Sequence, residues 1–160
     1  MSSGDTNSGD TNSGDMNSNG MHGASIDKPL YLHRATVWFD ELDMVGVLHN
    51  ARYAIHVERA MTALYHSLTG LDPSDSYVVV KHYEIEFLRP FTRERGELVV
   101  EIGLGRLGRT SAVYTFRCLS EGDDGAEIEH ARGTRTIVKV TRGDLRPAPW
   151  SDGLRAAVAG

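Results

Sequence analysis

Residues 50–69 place Ala54, Val57, Met61, Leu64, Tyr65 and Leu68 on one helical stripe, while most of the chain that follows alternates with the two-residue period of strands. Gly70 stands where a C-cap glycine belongs, with Pro73 beyond it, so the spacing predicts a helix that stops there. Residues 31–39 alternate before it and predict a first strand. After it come four more strand patterns: 77–88, with Tyr83, Ile85 and Phe87 on one face; 97–105, with Leu98, Val100, Ile102 and Leu104; 110–119; and 127–140. Gly105 to Gly108 predicts the tight turn between the third and fourth strands, and residues 151–158 a short C-terminal helix. The order is strand, helix, then a four-strand meander. A helix this apolar is best buried by a five-stranded antiparallel sheet wrapped around it, an α+β arrangement that several folds share.

Composition bounds the partners. Lys and Arg number 17 against 22 Asp and Glu, a formal net charge of −5, which disfavours nucleic acid and means that an anionic ligand would need a local basic patch. One cysteine, Cys118, gives no disulfide and no metal set, and the seven histidines show no ligand spacing. No apolar run reaches the roughly 18 residues of a membrane span, and the N-terminus lacks the basic and apolar regions of a secretory signal. A reducing cytoplasm is the expected compartment.

Residues 1–26 read as a polar tail with the repeat SGDTN-SGDTN-SGDMN, too poor in apolar residues to offset the entropy of ordering. A calcium loop starting at Asp5 or Asp10 would need glutamate at its twelfth position, and finds Met16 or Met21. The folded domain is expected over 27–145, with 146–160 as a C-terminal segment.

The stretch FDELDMVGVLHNARY, residues 39–53, carries Asp40, Glu41 and Asp43 just before the helix. Within it, Asp43-x-x-Gly46-Val47-x-x-Asn50-x-x-Tyr53, followed by Glu58-Arg59-Ala60, resembles the 4-hydroxybenzoyl-CoA thioesterase family of hot-dog proteins. The strand EIEFLRP and the Gly-Arg-Thr-Ser hairpin at 108–111 extend the likeness, which runs from about Tyr31 to Val140. The resemblance implies hydrolysis of a thioester of coenzyme A or acyl carrier protein by a homodimer, or a tetramer, with the site between subunits. Coenzyme A or phosphopantetheine enters as part of the substrate, and no metal or cofactor is implied.

By the same resemblance Asp43 is the catalytic acid, acting as nucleophile or as general base on water. The backbone N–H of Asn50, at the start of the helix, polarises the thioester carbonyl, where unpaired N–H groups and the helix dipole favour a developing oxyanion. Gly46 allows the close turn. Gly46, Val47, Tyr53, Glu58 and Arg109 are the substrate-contacting candidates, Arg109 through a guanidinium fork suited to phosphate. Arg106, with Arg89, Arg93 and Arg95 near another turn, could complete a basic patch.

Each candidate has a plainer role. Asp43 could simply cap the helix, and Asp40 and Glu41 read as solvated or capping residues. Glu58 suits a structural ion pair, across a dimer or with a nearby arginine, and Arg109 a solvated turn. Tyr53, Val57, Met61 and Tyr83 suit an apolar acyl group or ordinary core packing. Many members of the family carry Tyr-His where this chain has His49-Asn50; Asn50 matches a second subgroup, whereas His49 reads as a surface or interface residue. Alternative functions are release of a polyketide-like chain from a carrier protein, and non-catalytic binding of an acyl-CoA. The His-x-x-x-x-Gly arrangement of a hot-dog dehydratase or hydratase is missing.

Overall fold

The computed structural model describes residues 26, 28–68 and 71–159. The repeat-bearing tail and the Gly70 cap both lie outside the described residues. The strands are β1 (Tyr31–Thr36), β2 (Val78–Phe87), β3 (Glu97–Leu107), β4 (Ser111–Glu121) and β5 (Glu127–Lys139); the helices are α1 (Asn50–Ser67) and α2 (Asp152–Ala159). The five strands form one antiparallel sheet in the order β1-β3-β4-β5-β2. This is the hot-dog arrangement, with α1 as the filling.

Only β3, β4 and β5 form a meander. The expected pairing of β2 with β3 does not occur: β2 crosses to the far edge and pairs β5, with Tyr83 opposite Arg135 and Phe87 opposite Ala131. The connection has too many residues for a tight hairpin, and it is pinned elsewhere. Leu88 and Arg89 donate their N–H groups to the His130 carbonyl, and fully buried Phe91 accepts from Leu48 N–H at 2.9 Å through its own carbonyl. β1 then takes the open side of β3, Ala35 opposite Leu98.

The helical stripe packs as its period requires. Tyr53, Val57, Ala60, Met61 and Leu64 of α1 meet Leu98, Val100, Ile102, Tyr114, Phe116, Ala131 and Ile137 from the sheet in one core. Full burial of a side chain such as Leu64 contributes roughly 1.5–3 kcal/mol. The expected turn at 105–108 lies a few residues later. Strand β3 runs on to Leu107 through a bulge between Leu104 and Arg106, and Gly108 N–H closes the hairpin on the Ser111 carbonyl. β1 likewise ends at Thr36, short of the expected 39, because Phe39–Glu41 coils into a single 3-10 turn.

The C-terminal segment joins the core rather than trailing from it: Trp150 and Leu154 are buried. A buried ion pair holds it there. Lys139 Nζ donates to Asp75 Oδ1 at 2.5 Å, and Asp75 also accepts from the N–H of Ser151 at 3.1 Å and from its hydroxyl. Burial works against the Asp75 charge, but the Lys139 and Ser151 hydrogen bonds outweigh it and hold the carboxyl below its ordinary range.

Candidate active site

The segment between β1 and α1 is a small closed loop. Leu42 and Leu48 bridge, Asp43 N–H donates to the Val47 carbonyl at 2.8 Å, and Gly46 N–H returns to the Asp43 carbonyl at 3.0 Å. Gly46 sits at φ +80°, a conformation open to glycine and costly for other residues. The Asp43 carboxylate fastens the turn through one oxygen: Oδ1 accepts from Val45 N–H at 2.9 Å and Val47 N–H at 3.2 Å. Asp43 therefore caps its own loop and not α1.

His49 caps α1. Its Nδ1 accepts from Ala51 N–H at 3.2 Å, and its carbonyl accepts from Arg52 N–H at 2.8 Å. Between those two bonds lies Asn50, the first helical residue, whose N–H can have no intrahelical partner. His49 is exposed, as its reading as a surface or interface residue expected; its capping role was not read from the sequence, although a histidine nitrogen just before a helix is able to accept.

A cavity of about 160 Å³ opens beside that helix start, lined by Val47, Leu48, Asn50, Tyr53, Phe87, Leu88, Arg89 and Pro90. Tyr53 forms its wall, its ring edge-on to Phe87 with centroids 5.4 Å apart, and burial pushes its hydroxyl up to about 12. The Arg89–Pro90 rim is fixed by His130, whose Nδ1 lies 3.1 Å from both carbonyls while Nε2 meets the Ser120 hydroxyl at 2.8 Å.

Of the candidates, Val47, Asn50 and Tyr53 line this cavity, and Asp43 and Gly46 form the loop that frames Val47. Glu58 lies two turns further along α1, bound to Arg135 Nη2 at 3.0 Å, which is the ion pair its mid-helix position suggested. Arg109 is at the β3–β4 turn. Its carbonyl accepts from Trp150 N–H and Arg155 Nη2, tying the turn to α2, and within one chain it is not brought to the cavity.

Glu41 takes the capping role of the two expected for it, but from a buried position. It is 3% exposed, not solvated; Oε2 accepts from Trp38 N–H at 2.9 Å, and Oε1 lies 3.3 Å from His56 Nε2 and 3.5 Å from Arg59 Nη1. It caps its own 3-10 turn and ties the acidic loop to α1. Its spacing from His56 and Arg59 crosses the loop, so no single period in the sequence announces it.

Among the described residues no helix is long and apolar enough to cross a membrane, and no group of three or more His, Cys, Asp or Glu could hold a metal ion.

The thioesterase superfamily model matches residues 45–127, more than half of the chain, and the chain belongs to that superfamily. No curated protein matches. Among solved structures, a thioesterase from Thermus thermophilus in complex with coenzyme A and zinc is 23% identical over 82% of this chain and 93% of its own, with a TM-score of 0.69. A candidate thioesterase from Pseudomonas aeruginosa is 27% identical over 82% and 99%, with a TM-score of 0.70. An Asp-to-Asn mutant of 4-hydroxybenzoyl-CoA thioesterase, in complex with 4-hydroxybenzoyl-CoA, is 13% identical over 79% and 96%, with a TM-score of 0.68.

Proposed function

We propose that this chain hydrolyses the thioester of an acyl-CoA or an acyl carrier protein, with Asp43 as nucleophile or general base. The observation that carries this is the juxtaposition of a carboxylate, an apolar cavity and the first N–H of α1 within the single segment Asp43–Asn50. Both loop hydrogen bonds to Asp43 fall on Oδ1, which orients the group while Oδ2 is left to attack the carbonyl or accept a proton from water. Negative charge developing on the thioester oxygen meets the Asn50 N–H at the positive end of an 18-residue helix. The thiolate of coenzyme A or phosphopantetheine leaves, and the reading uses no metal or cofactor of the protein's own.

Coenzyme A and a coenzyme A thioester in two of the similar structures support this substrate class. Arg109 would serve the phosphates from a second subunit. The dimer in this reading forms through β2, a sheet edge with Val79 and Val80 41% and 50% exposed. A reducing cytoplasm suits the buried, unpaired Cys118.

The test is thiol release from a panel of acyl-CoAs by wild type and Asp43→Asn. The amide oxygen can keep both loop hydrogen bonds, so a rate loss of roughly 10²–10⁴ in a folded variant would place the chemistry on Asp43. Undiminished turnover would remove that role. No turnover by the wild type on the panel would shift the substrate to a carrier protein, to be tested with acyl carrier protein thioesters, or leave a binding protein.

A further inference from the structure

Strand β5 carries one residue more than β4 where it passes the Arg89–Pro90 rim. Cys118 pairs with Ala131 and Leu119 with Glu129, so His130 is the extra residue of a β-bulge. A bulge re-aims the side chain it inserts. Here it makes His130 and Ala131 consecutive buried residues, in a strand whose buried residues from Arg135 to Lys139 fall on every second position. His130 is 1% exposed, and its ring reaches out of β5 to the segment 88–91.

That ring holds the segment at several points. Its Nδ1 lies 3.1 Å from the carbonyl oxygens of both Arg89 and Pro90. Carbonyls only accept, so Nδ1 carries the hydrogen. Burial keeps the ring neutral, and Nε2 then accepts from the Ser120 hydroxyl at 2.8 Å. Two carbonyl oxygens aimed at one point repel each other unless a donor lies between them. The ring also stands edge-on to Phe91, with centroids 5.1 Å apart, while the His130 carbonyl takes the Leu88 and Arg89 N–H groups.

The reacting loop leans on the segment held in this way. Thr92 bridges to Val47, and the Phe91 carbonyl accepts from Leu48 N–H at 2.9 Å. Val47 N–H in turn donates to Asp43 Oδ1, and Leu48 stands two residues before Asn50. Arg89 and Pro90 themselves line the cavity. A displacement of this segment therefore reaches the carboxylate, the first N–H of α1 and the cavity wall together. A misplacement of about 1 Å at a reacting centre can cost roughly 10²-fold in rate.

We propose that His130 is a positioning residue for thioester hydrolysis. Its Nδ1–H fixes the Arg89 and Pro90 carbonyls and, through Phe91, sets Asp43 and the Asn50 N–H relative to each other. It rests on the thioesterase reading for the chemistry, and adds to it a residue that does not line the cavity.

In the wild type, nitrogen NMR of the imidazole should show the hydrogen on Nδ1 at neutral pH; a hydrogen on Nε2 would overturn the proposal. His130→Asn can return an N–H near the Nδ1 position, whereas His130→Gln returns one only near Nε2. With an acyl-CoA that the wild type turns over, His130→Gln should lower kcat about tenfold or more with KM within about threefold, and His130→Asn should lie about fivefold above it in kcat. His130→Ala, which also lacks the donor, stands in if the glutamine variant does not fold. Melting temperatures are read alongside. Unchanged kcat in a folded variant without the donor, or a loss that follows the melting temperature whichever amide is present, would leave His130 a structural residue only and overturn the proposal. If the wild type hydrolyses no acyl-CoA or acyl carrier protein thioester, the thioesterase reading falls by itself, and amide exchange decides the rest. Leu48 N–H exchanging faster in His130→Gln than in His130→Asn would keep the coupling from ring to loop, and equal exchange would remove it.

Discussion

Glu41 and His56 meet at 3.3 Å inside the protein, the carboxylate 3% exposed and the imidazole without exposure. Burial lowers the His56 pKa more than the neighbouring Glu41 raises it, so the ring stays neutral and the full charge partner of Glu41 is Arg59. Glu41→Ala removes that partner and the acceptor of Trp38 N–H. With Arg59 half exposed, the expected cost is about 2 kcal/mol, read as a shift of the urea midpoint. An unchanged midpoint would mean that the loop is held by its backbone bonds alone.

Stability should fall on mild acidification through His130. Burial lowers its pKa in the folded state despite the Arg89 and Pro90 carbonyls, so the unfolded chain binds its proton first. The contribution is whole above the unfolded value near 6.5 and declines below it by up to about 1.4 kcal/mol per pH unit, until the folded pKa is reached. His130→Gln should flatten this part of the melting-temperature profile between neutral pH and the onset of carboxylate titration. An equally steep profile in the variant would assign the effect to other groups.

Asp75→Ala leaves Lys139 buried without its counter-charge and Ser151 without its acceptor. A loss of about 3–5 kcal/mol is expected, a large part of what a domain of this size possesses. The near-ultraviolet signal of Trp150, packed beside that knot, should weaken below the unfolding transition. Retention of both stability and signal would show that α2 is held by Leu154 and Val158 instead.

Gly46→Ala puts a methyl into open space, since a Cβ there meets nothing within 4 Å. Its cost is therefore conformational, about 1 kcal/mol for a side chain at φ +80°. Because Val47 N–H orients Asp43, kcat should fall more than the stability change alone would suggest. A variant with normal kcat would separate the turn from the chemistry.

Val80→Arg adds charge at the open edge of β2 and should convert the proposed dimer to a monomer in sedimentation equilibrium, with turnover lost. A variant that stays dimeric and active would place the subunit contact elsewhere.

The elements of this fold were readable because strands and α1 obey their own periods: Tyr83, Ile85 and Phe87 predicted a strand face, and the stripe from Ala54 to Leu64 predicted the buried side of α1. The place of β2 was not, since pairing with β5 depends on residues some fifty positions away and on the anchoring of Phe91. Nor was the inward face of β5. The helix-facing positions of β5 read Ala131, Gly133, Arg135, Ile137 and Lys139, a mixture in which no alternation marks the inside. In the acidic cluster, Asp43 was singled out by resemblance, but nothing local distinguished buried Glu41 from exposed Asp40.

The strand order also sets a timetable for synthesis. The ribosome releases β2 early, yet its sheet neighbour among the described residues, β5, is the last strand to emerge, and β5 must seat itself between β2 and β4. Until Lys139 has cleared the exit tunnel, the nascent chain can assemble β1, β3 and β4 while β2 waits unpaired, its inner edge covered only when β5 arrives.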